Sequence, residues 1–149
     1  MHQLIIRPVV STDQKVLEAV HWRASLNNPR DREALLANPD AIELSFEQIE
    51  LGGVFVAEES GSVMGFAAIL RRSDGELDAL FVEPRTWRQG VGRALVEHCC
   101  VAARISGATA IHVIGNPHAE GFYEACGFKQ LGSKQMRFGI GLLMKRALK

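Results

Sequence analysis

The sequence predicts an α/β domain of the α+β kind, with a mixed, mostly antiparallel central sheet of roughly six to seven strands flanked by helices. Three observations predict it. Short apolar runs separated by turn residues follow one another between Val54 and Val82, as in a meander of antiparallel strands. Val91 to Ile105 carries Ala94, Leu95, His98, Val101, Ala102 and Ile105 at helical spacing and ends at Gly107. Ala110 to Ile114 is strand-like again, and a strand–helix–strand crossover makes the joined strands parallel, so the sheet is mixed.

Leu4 to Val9 has the apolar content of a first strand, after which Ser11 and Gln14 match a capping box opening a helix through Val16, Leu17, Val20 and Ala24. Between Asn27 and Gly53, Pro29 and Pro39 break the helical signal. Asn38-Pro39 opens a last piece in which Ile42, Phe46 and Ile49 share one face, and Gly52-Gly53 ends it. Pattern alone leaves this stretch either a substrate-facing element or a connector. Val54 to Glu58 and Val63 to Leu70 form a hairpin through Glu59-Ser60-Gly61-Ser62. Ser73-Asp74-Gly75 then turns the chain into Glu76 to Val82, which Pro84 stops. Asn116-Pro117 leads into a short helix, Ala119 to Cys126, capped by Gly127 and followed by a strand from Phe128 to Leu131. Met136 to Leu148 supplies another strand or strand pair.

The 149 residues suit a single domain, 1–149, large enough to bury a core. Composition is that of a soluble protein, at 47% hydrophobic and 23% charged. No apolar stretch approaches the roughly 20 residues that span a bilayer, so no membrane partner is expected. The start, Met1 to Arg7, shows no basic segment, apolar core and cleavage site, so the expected address is the cytoplasm. Seventeen basic residues balance seventeen acidic ones, which argues against a polyanion-binding face and so against nucleic acid. Cys99, Cys100 and Cys126 are odd in number and lack zinc-site spacing, and His98 and His112 do not complete one. Reduced, buried thiols and no metal are expected.

Two blocks carry chemistry. Trp87-Arg88-Gln89-Gly90-Val91-Gly92-Arg93-Ala94-Leu95 lies between a strand and a helix. Gly90 and Gly92 let the backbone turn sharply and approach a ligand, while the first amides of the helix direct partial positive charge at an anion such as a diphosphate. A nucleotide P-loop would follow the last glycine with Lys and Ser or Thr, where Arg93-Ala94 stand. A dinucleotide fingerprint needs a third glycine where Leu95 stands. The second block runs from Asn116 to Phe128 and contains Tyr123, whose phenol could serve as a general acid or simply pack in the core with its hydroxyl at the rim.

Meander, glycine turn, long helix, strand, Asn-containing loop, Phe-Tyr helix and Gly-Phe strand together resemble the GCN5-related N-acetyltransferase (GNAT) superfamily over roughly residues 54 to 133. The resemblance implies that Arg88, Gln89, Gly90, Val91, Gly92, Arg93 and Ala94 form the turn that binds the coenzyme A pyrophosphate through backbone amides. It implies that Leu80, Phe81 and Val82 border the pantetheine arm with Asn116, and that Phe122 and Tyr123 also lie at the coenzyme. Tyr123 would protonate the leaving thiolate. Trp87 departs from the family's usual Gln or Arg.

The expected reaction is transfer of an acetyl group from acetyl-coenzyme A, without a metal, to a primary amine of a small molecule or peptide. Counted back from the turn, Glu76 corresponds to the catalytic glutamate of the family's histone-modifying members and is the candidate base. Strand alternation puts Asp78 on the same face as a second candidate, and bulk water is a third. A non-catalytic acyl-coenzyme A-binding module, or a scaffold whose turn is only architectural, are the alternative readings. The acceptor pocket is expected to draw on Asn27 to Gly53 and the last strands, and a homodimer is a partner the family resemblance admits.

Overall fold

The computed structural model describes residues 3–27, 32–33, 36–38, 53–71, 75–136 and 139–148. The predicted helix with Ile42, Phe46 and Ile49, and most of the Ser73-Asp74-Gly75 turn, lie outside the described residues. Among the described residues seven strands form one sheet: β1 (Leu4–Pro8), β2 (Val54–Glu59), β3 (Ser62–Arg71), β4 (Gly75–Val82), β5 (Ala110–Gly115), β6 (Lys129–Met136) and β7 (Gly139–Ala147). Their order is β1-β2-β3-β4-β5-β7-β6. Among the described residues the helices that accompany them include α1 (Gln14–Leu26), α2 (Val91–Ile105) and α3 (Glu120–Ala125). Among the described residues no helix is long and apolar enough to cross a membrane.

The β2–β3 connection is tighter than the sequence suggests. Ser60 (φ 53°) and Gly61 (φ 79°) form a two-residue turn with both φ positive, which matches the twist of the strands it joins. The predicted capping box is corrected. The chain enters α1 through a 3-10 turn, Ser11–Asp13, so that the N-cap positions are Val10 for the turn and Asp13 for the helix rather than Ser11. Asp13 stands three residues beyond Val10 and its carboxylate accepts the Val10 amide at 2.8 Å. Asp13 also takes Arg7 of β1 at 2.9 and 3.0 Å, joining the edge strand to the helix entrance. The sixth strand runs on to Met136, and the last segment begins at Gly139.

The sheet is covered on both faces. Leu17 and Val20 of α1 are fully buried against Val54, Val56, Phe66 and Ala68. On the opposite face Leu95, Val96 and Cys99 of α2 pack among Ile69, Leu77, Ile111 and Val113. A buried leucine of this kind resists truncation to Ala by about 2–5 kcal/mol. Cys99, Cys100 and Cys126 are free thiols in this second core, and burial pushes Cys99 up to about 12.

The placement of β4 matters most for function. It pairs antiparallel with β3, but Ala68 faces Ala79 while Ile69 faces Leu77, so Asp78 is an extra residue in the ladder. Such a bulge bends a strand and increases its twist. The parallel pairing of β4 with β5, among the described residues, covers Gly75–Leu77 against Ile111–Val113 and goes no further. Beyond Leu77 and Val113 the two central strands part.

Candidate active site

A cavity of about 830 Å³ opens where β4 and β5 separate. Its floor and one wall are the last five residues of β4, Asp78 to Val82, and the opposite wall is Ile114, Gly115 and Asn116. Ala24, Ser25 and Asn27 from the end of α1 close one side, and Phe122 and Tyr123 of α3 another. Thr86, Trp87, Arg88, Val91 and Gly92 form the end that leads into α2.

At that end the backbone is shaped for an anion. Arg88 adopts φ 68° and Gly90 φ 88°; the left-handed region suits glycine and is uncommon for arginine, and residues held there cluster at functional sites. No side chain caps α2. The amides of Arg88, Gly90, Val91, Gly92 and Arg93 have no acceptor among the described residues, so the first-turn donors and the positive end of the helix dipole are available together. Two of the expected donors are bonded within the turn itself. Gln89 N–H donates to Thr86 O at 3.3 Å, and Ala94 N–H closes the first helical bond on Gly90 O at 3.0 Å. Their amides are already committed, because a turn of this tightness pairs its own ends. Gln89, Gly90, Arg93 and Ala94 also do not border the cavity directly.

Trp87 meets the turn in a way its residue type did not suggest. It is half exposed, yet its indole Nε1 donates to Val82 O at 2.8 Å and so ties the turn to the end of β4. That carbonyl lies on the open edge. Glu83 N–H donates to Met64 O at 2.7 Å, which directs Glu83 and, by alternation, Phe81 toward β3 and leaves Leu80 and Val82 facing the gap.

Gly92 is needed for space as well as approach. A Cβ there would come within 3.2 Å of the Phe122 ring, and Phe122 in turn stands edge-on to Tyr123 at 5.2 Å between centroids. Tyr123 is buried, with its ring against the Gly115 backbone, where an added Cβ would lie 3.0 Å away. Burial pushes its phenol up to about 12, which keeps it protonated throughout the neutral range. Asn116 borders the cavity, and its side-chain oxygen accepts the His118 amide at 2.9 Å, capping the 3-10 turn Pro117–Ala119.

The two candidate carboxylates part company. Asp78, the bulge residue, lines the cavity. Glu76 sits opposite Leu70 and His112 in the fully paired part of β4 and does not line it. Simple alternation does not carry across the bulge: Leu77 and Leu80, three residues apart, both pack on the α2 core.

Sequence reasoning missed three supports of the site. His21 of α1 stacks on Phe81 at 3.6 Å, and burial lowers its pKa to about 4, so it packs as a neutral ring. Arg23 of α1 grips Glu83 with two bonds of 2.7 Å. The Trp87 bond to Val82 is the third. Only the place of Glu83, directly after a strand and before a proline, could have drawn attention to it; the partners lie about 60 residues apart in sequence.

Comparison with known proteins bears on the family and the fold. The model of the acetyltransferase (GNAT) family matches residues 19–128. A peptidyl-lysine N-acetyltransferase, YjaB, of Salmonella typhimurium strain LT2 is 29% identical over 116 residues, 77% of each chain. A solved GCN5-related N-acetyltransferase from Rhodopseudomonas palustris superposes with a TM-score of 0.77 at 23% identity, over 97% of this chain and 95% of its own. The PaiA N-acetyltransferase of Thermoplasma acidophilum, solved in complex with coenzyme A, also superposes at 0.77, with 16% identity over 97% and 99% of the two chains.

Proposed function

This chain belongs to the acetyltransferase (GNAT) family, and from that we propose that it moves the acetyl group of acetyl-coenzyme A to a primary amine of a small molecule or peptide, by direct attack. One observation carries the reading: the gap between β4 and β5 runs straight into the uncapped first turn of α2. An extended amide-bearing arm can lie along Leu80 and Val82 as an added strand, while a diphosphate meets the amides around Arg88 and Val91 to Arg93. The residues present suit coenzyme A: a β4 edge that β5 leaves unpaired beyond Leu77, with Val82 O taken by the Trp87 indole, and turn amides without an acceptor among the described residues at the phosphate end.

The coenzyme supplies an activated acyl group; the chain supplies position and protons. An alkyl amine arrives protonated and must lose a proton before it attacks the thioester carbonyl. Asp78 is the carboxylate of the cavity wall and is the first candidate to take it. Glu76, outside the lining, would act only through intervening water. Tyr123 then gives its proton to the departing sulfur. Its raised pKa is no obstacle, because the same burial that makes the phenol a weaker acid makes a thiolate formed beside it a stronger base. Proton donation of this type contributes roughly 10²- to 10⁴-fold in rate. Three buried free thiols support a reducing compartment, the cytoplasm, as its place of action.

Free-thiol release from acetyl-coenzyme A, measured with a panel of amines, tests the proposal. The panel begins with a lysine-bearing peptide, the acceptor class of the Salmonella relative. At least one amine is expected to stimulate release, and Tyr123→Phe is expected to lower kcat by about 10²-fold or more with coenzyme A affinity preserved. Unchanged turnover in Tyr123→Phe would remove the phenol from the mechanism.

A further inference from the structure

The Arg23–Glu83 pair lies between two walls of the cavity that come from distant parts of the chain. Ala24, Ser25 and Asn27, just beyond Arg23, form the α1 side. Thr86, Trp87 and Arg88, just beyond Glu83, form the phosphate end. Neither Arg23 nor Glu83 lines the cavity itself. The pair is bidentate, Nε to Oε1 and a terminal nitrogen to Oε2, both at 2.7 Å. The Glu83 side chain is 8% exposed against 50% for Arg23, so the carboxylate is the buried member and the guanidinium covers it.

Glu83 is also the node from which the phosphate turn hangs. Its amide donates to Met64 O at 2.7 Å, and its carbonyl accepts both the Thr86 amide at 2.9 Å and the Thr86 hydroxyl at 2.8 Å. All three groups of one residue are thus used: backbone N–H to β3, carbonyl to the turn, carboxylate to α1. On the α1 side Arg23 O accepts Asn27 Nδ2 at 2.9 Å, which carries the anchorage to the cavity wall. A buried carboxylate without its partner would have to turn out to water, and that movement acts on the first residue of the turn.

We propose that Arg23 and Glu83 are positioning residues that hold the α1 wall and the phosphate turn in one geometry, so that an ion pair outside the cavity sets how well the coenzyme A site is preformed. The proposal rests on the acetyl-coenzyme A reading above. Arg23 contributes through its fork: lysine, a point charge, cannot make the two parallel bonds. If breaking the pair leaves the turn correctly formed in only one molecule in about ten, apparent affinity for coenzyme A falls by the same factor, because only the competent fraction binds.

Two measurements on the full chain test this. Amide hydrogen exchange, with no ligand added, is followed at the bonded turn amides of Thr86, Trp87 and Gln89 in the parent, Arg23→Met, Arg23→Lys and the swapped Arg23→Glu/Glu83→Arg protein. Titration calorimetry with coenzyme A is run on the same four. In Arg23→Met, exchange across the turn is expected to quicken while the α2 interior keeps its protection, and coenzyme A Kd to rise about tenfold. Arg23→Lys should recover little of this and the swapped pair most of it. Exchange and Kd both within twofold of the parent in a folded Arg23→Met protein would overturn the proposal. So would a swapped protein no better than Arg23→Met. If the parent fails to bind coenzyme A, the function proposed above falls, and the exchange comparison still decides the role of the pair.

Discussion

Asp78 reaches the cavity wall because β4 holds one residue more than β3 can pair with. Nothing in Leu77-Asp78-Ala79 marks that irregularity. Alternation along a regular strand therefore treats Glu76 and Asp78 alike, whereas the bulge separates one that lines the gap from one that does not. The consequence is measurable. Asp78→Asn is expected to lower kcat/KM by about 10²-fold, with a rate that climbs more steeply as pH rises because the amine must then lose its proton to solvent, and Glu76→Gln to stay within a few-fold of the parent. Steady-state pH–rate profiles of the two variants check this; the opposite ranking would make Glu76 the base. Tyr123 was legible as a candidate because of the block it sits in, but its burial against Gly115 and its raised pKa are properties of packing alone.

Among the elements, α2 was the most legible, from Val91 to Ile105, since it pairs an apolar stripe with a glycine-bearing start and a glycine after its end. The tertiary structure adds a second demand on its first turn. Gly92 faces the Phe122 ring, so a side chain there meets α3 as well as any ligand at the amides. Gly92→Glu is expected to weaken coenzyme A binding by more than about tenfold, roughly 1.4 kcal/mol, through bulk and negative charge. Gly92→Ala, which asks Phe122 to move by only tenths of an ångström, should lose far less. Calorimetric titration of both proteins decides it, and tight binding by Gly92→Glu would mean that the phosphate lies elsewhere. The entrance of α1 was less legible. Ser11 and Gln14 fit a capping pattern, but the 3-10 turn before the helix shifts the register so that Asp13 does the work.

At the scale of the whole molecule, Asp13 joins β1 to α1 through Arg7, and Arg7 also approaches Glu58 of β2 at 3.5 Å. The Arg7 bonds hold the Asp13 carboxyl below its ordinary value against the opposing effect of burial. A folded-state pKa lowered in this way stabilises the protein above the unfolded value, and the contribution is lost as pH falls through the folded one. Asp13→Asn is accordingly expected to cost about 2 kcal/mol near neutrality and to lose its disadvantage in strong acid, where the parent carboxyl is protonated too. Thermal or urea unfolding at the two pH values measures it, and a penalty independent of pH would show that the charge is not what matters. By itself the sequence determined the order of elements, the mixed sheet, the glycine turn and the Tyr123 block, because hydrophobic period, turn residues and helix ends act over a few neighbouring positions. The tertiary structure alone decided where β4 leaves β5, which carboxylate faces the gap, that Trp87 closes on Val82, and that Arg23 meets Glu83. Each of these depends on a strand irregularity or on partners brought together only by the folded sheet, and local residue pattern carries no record of either.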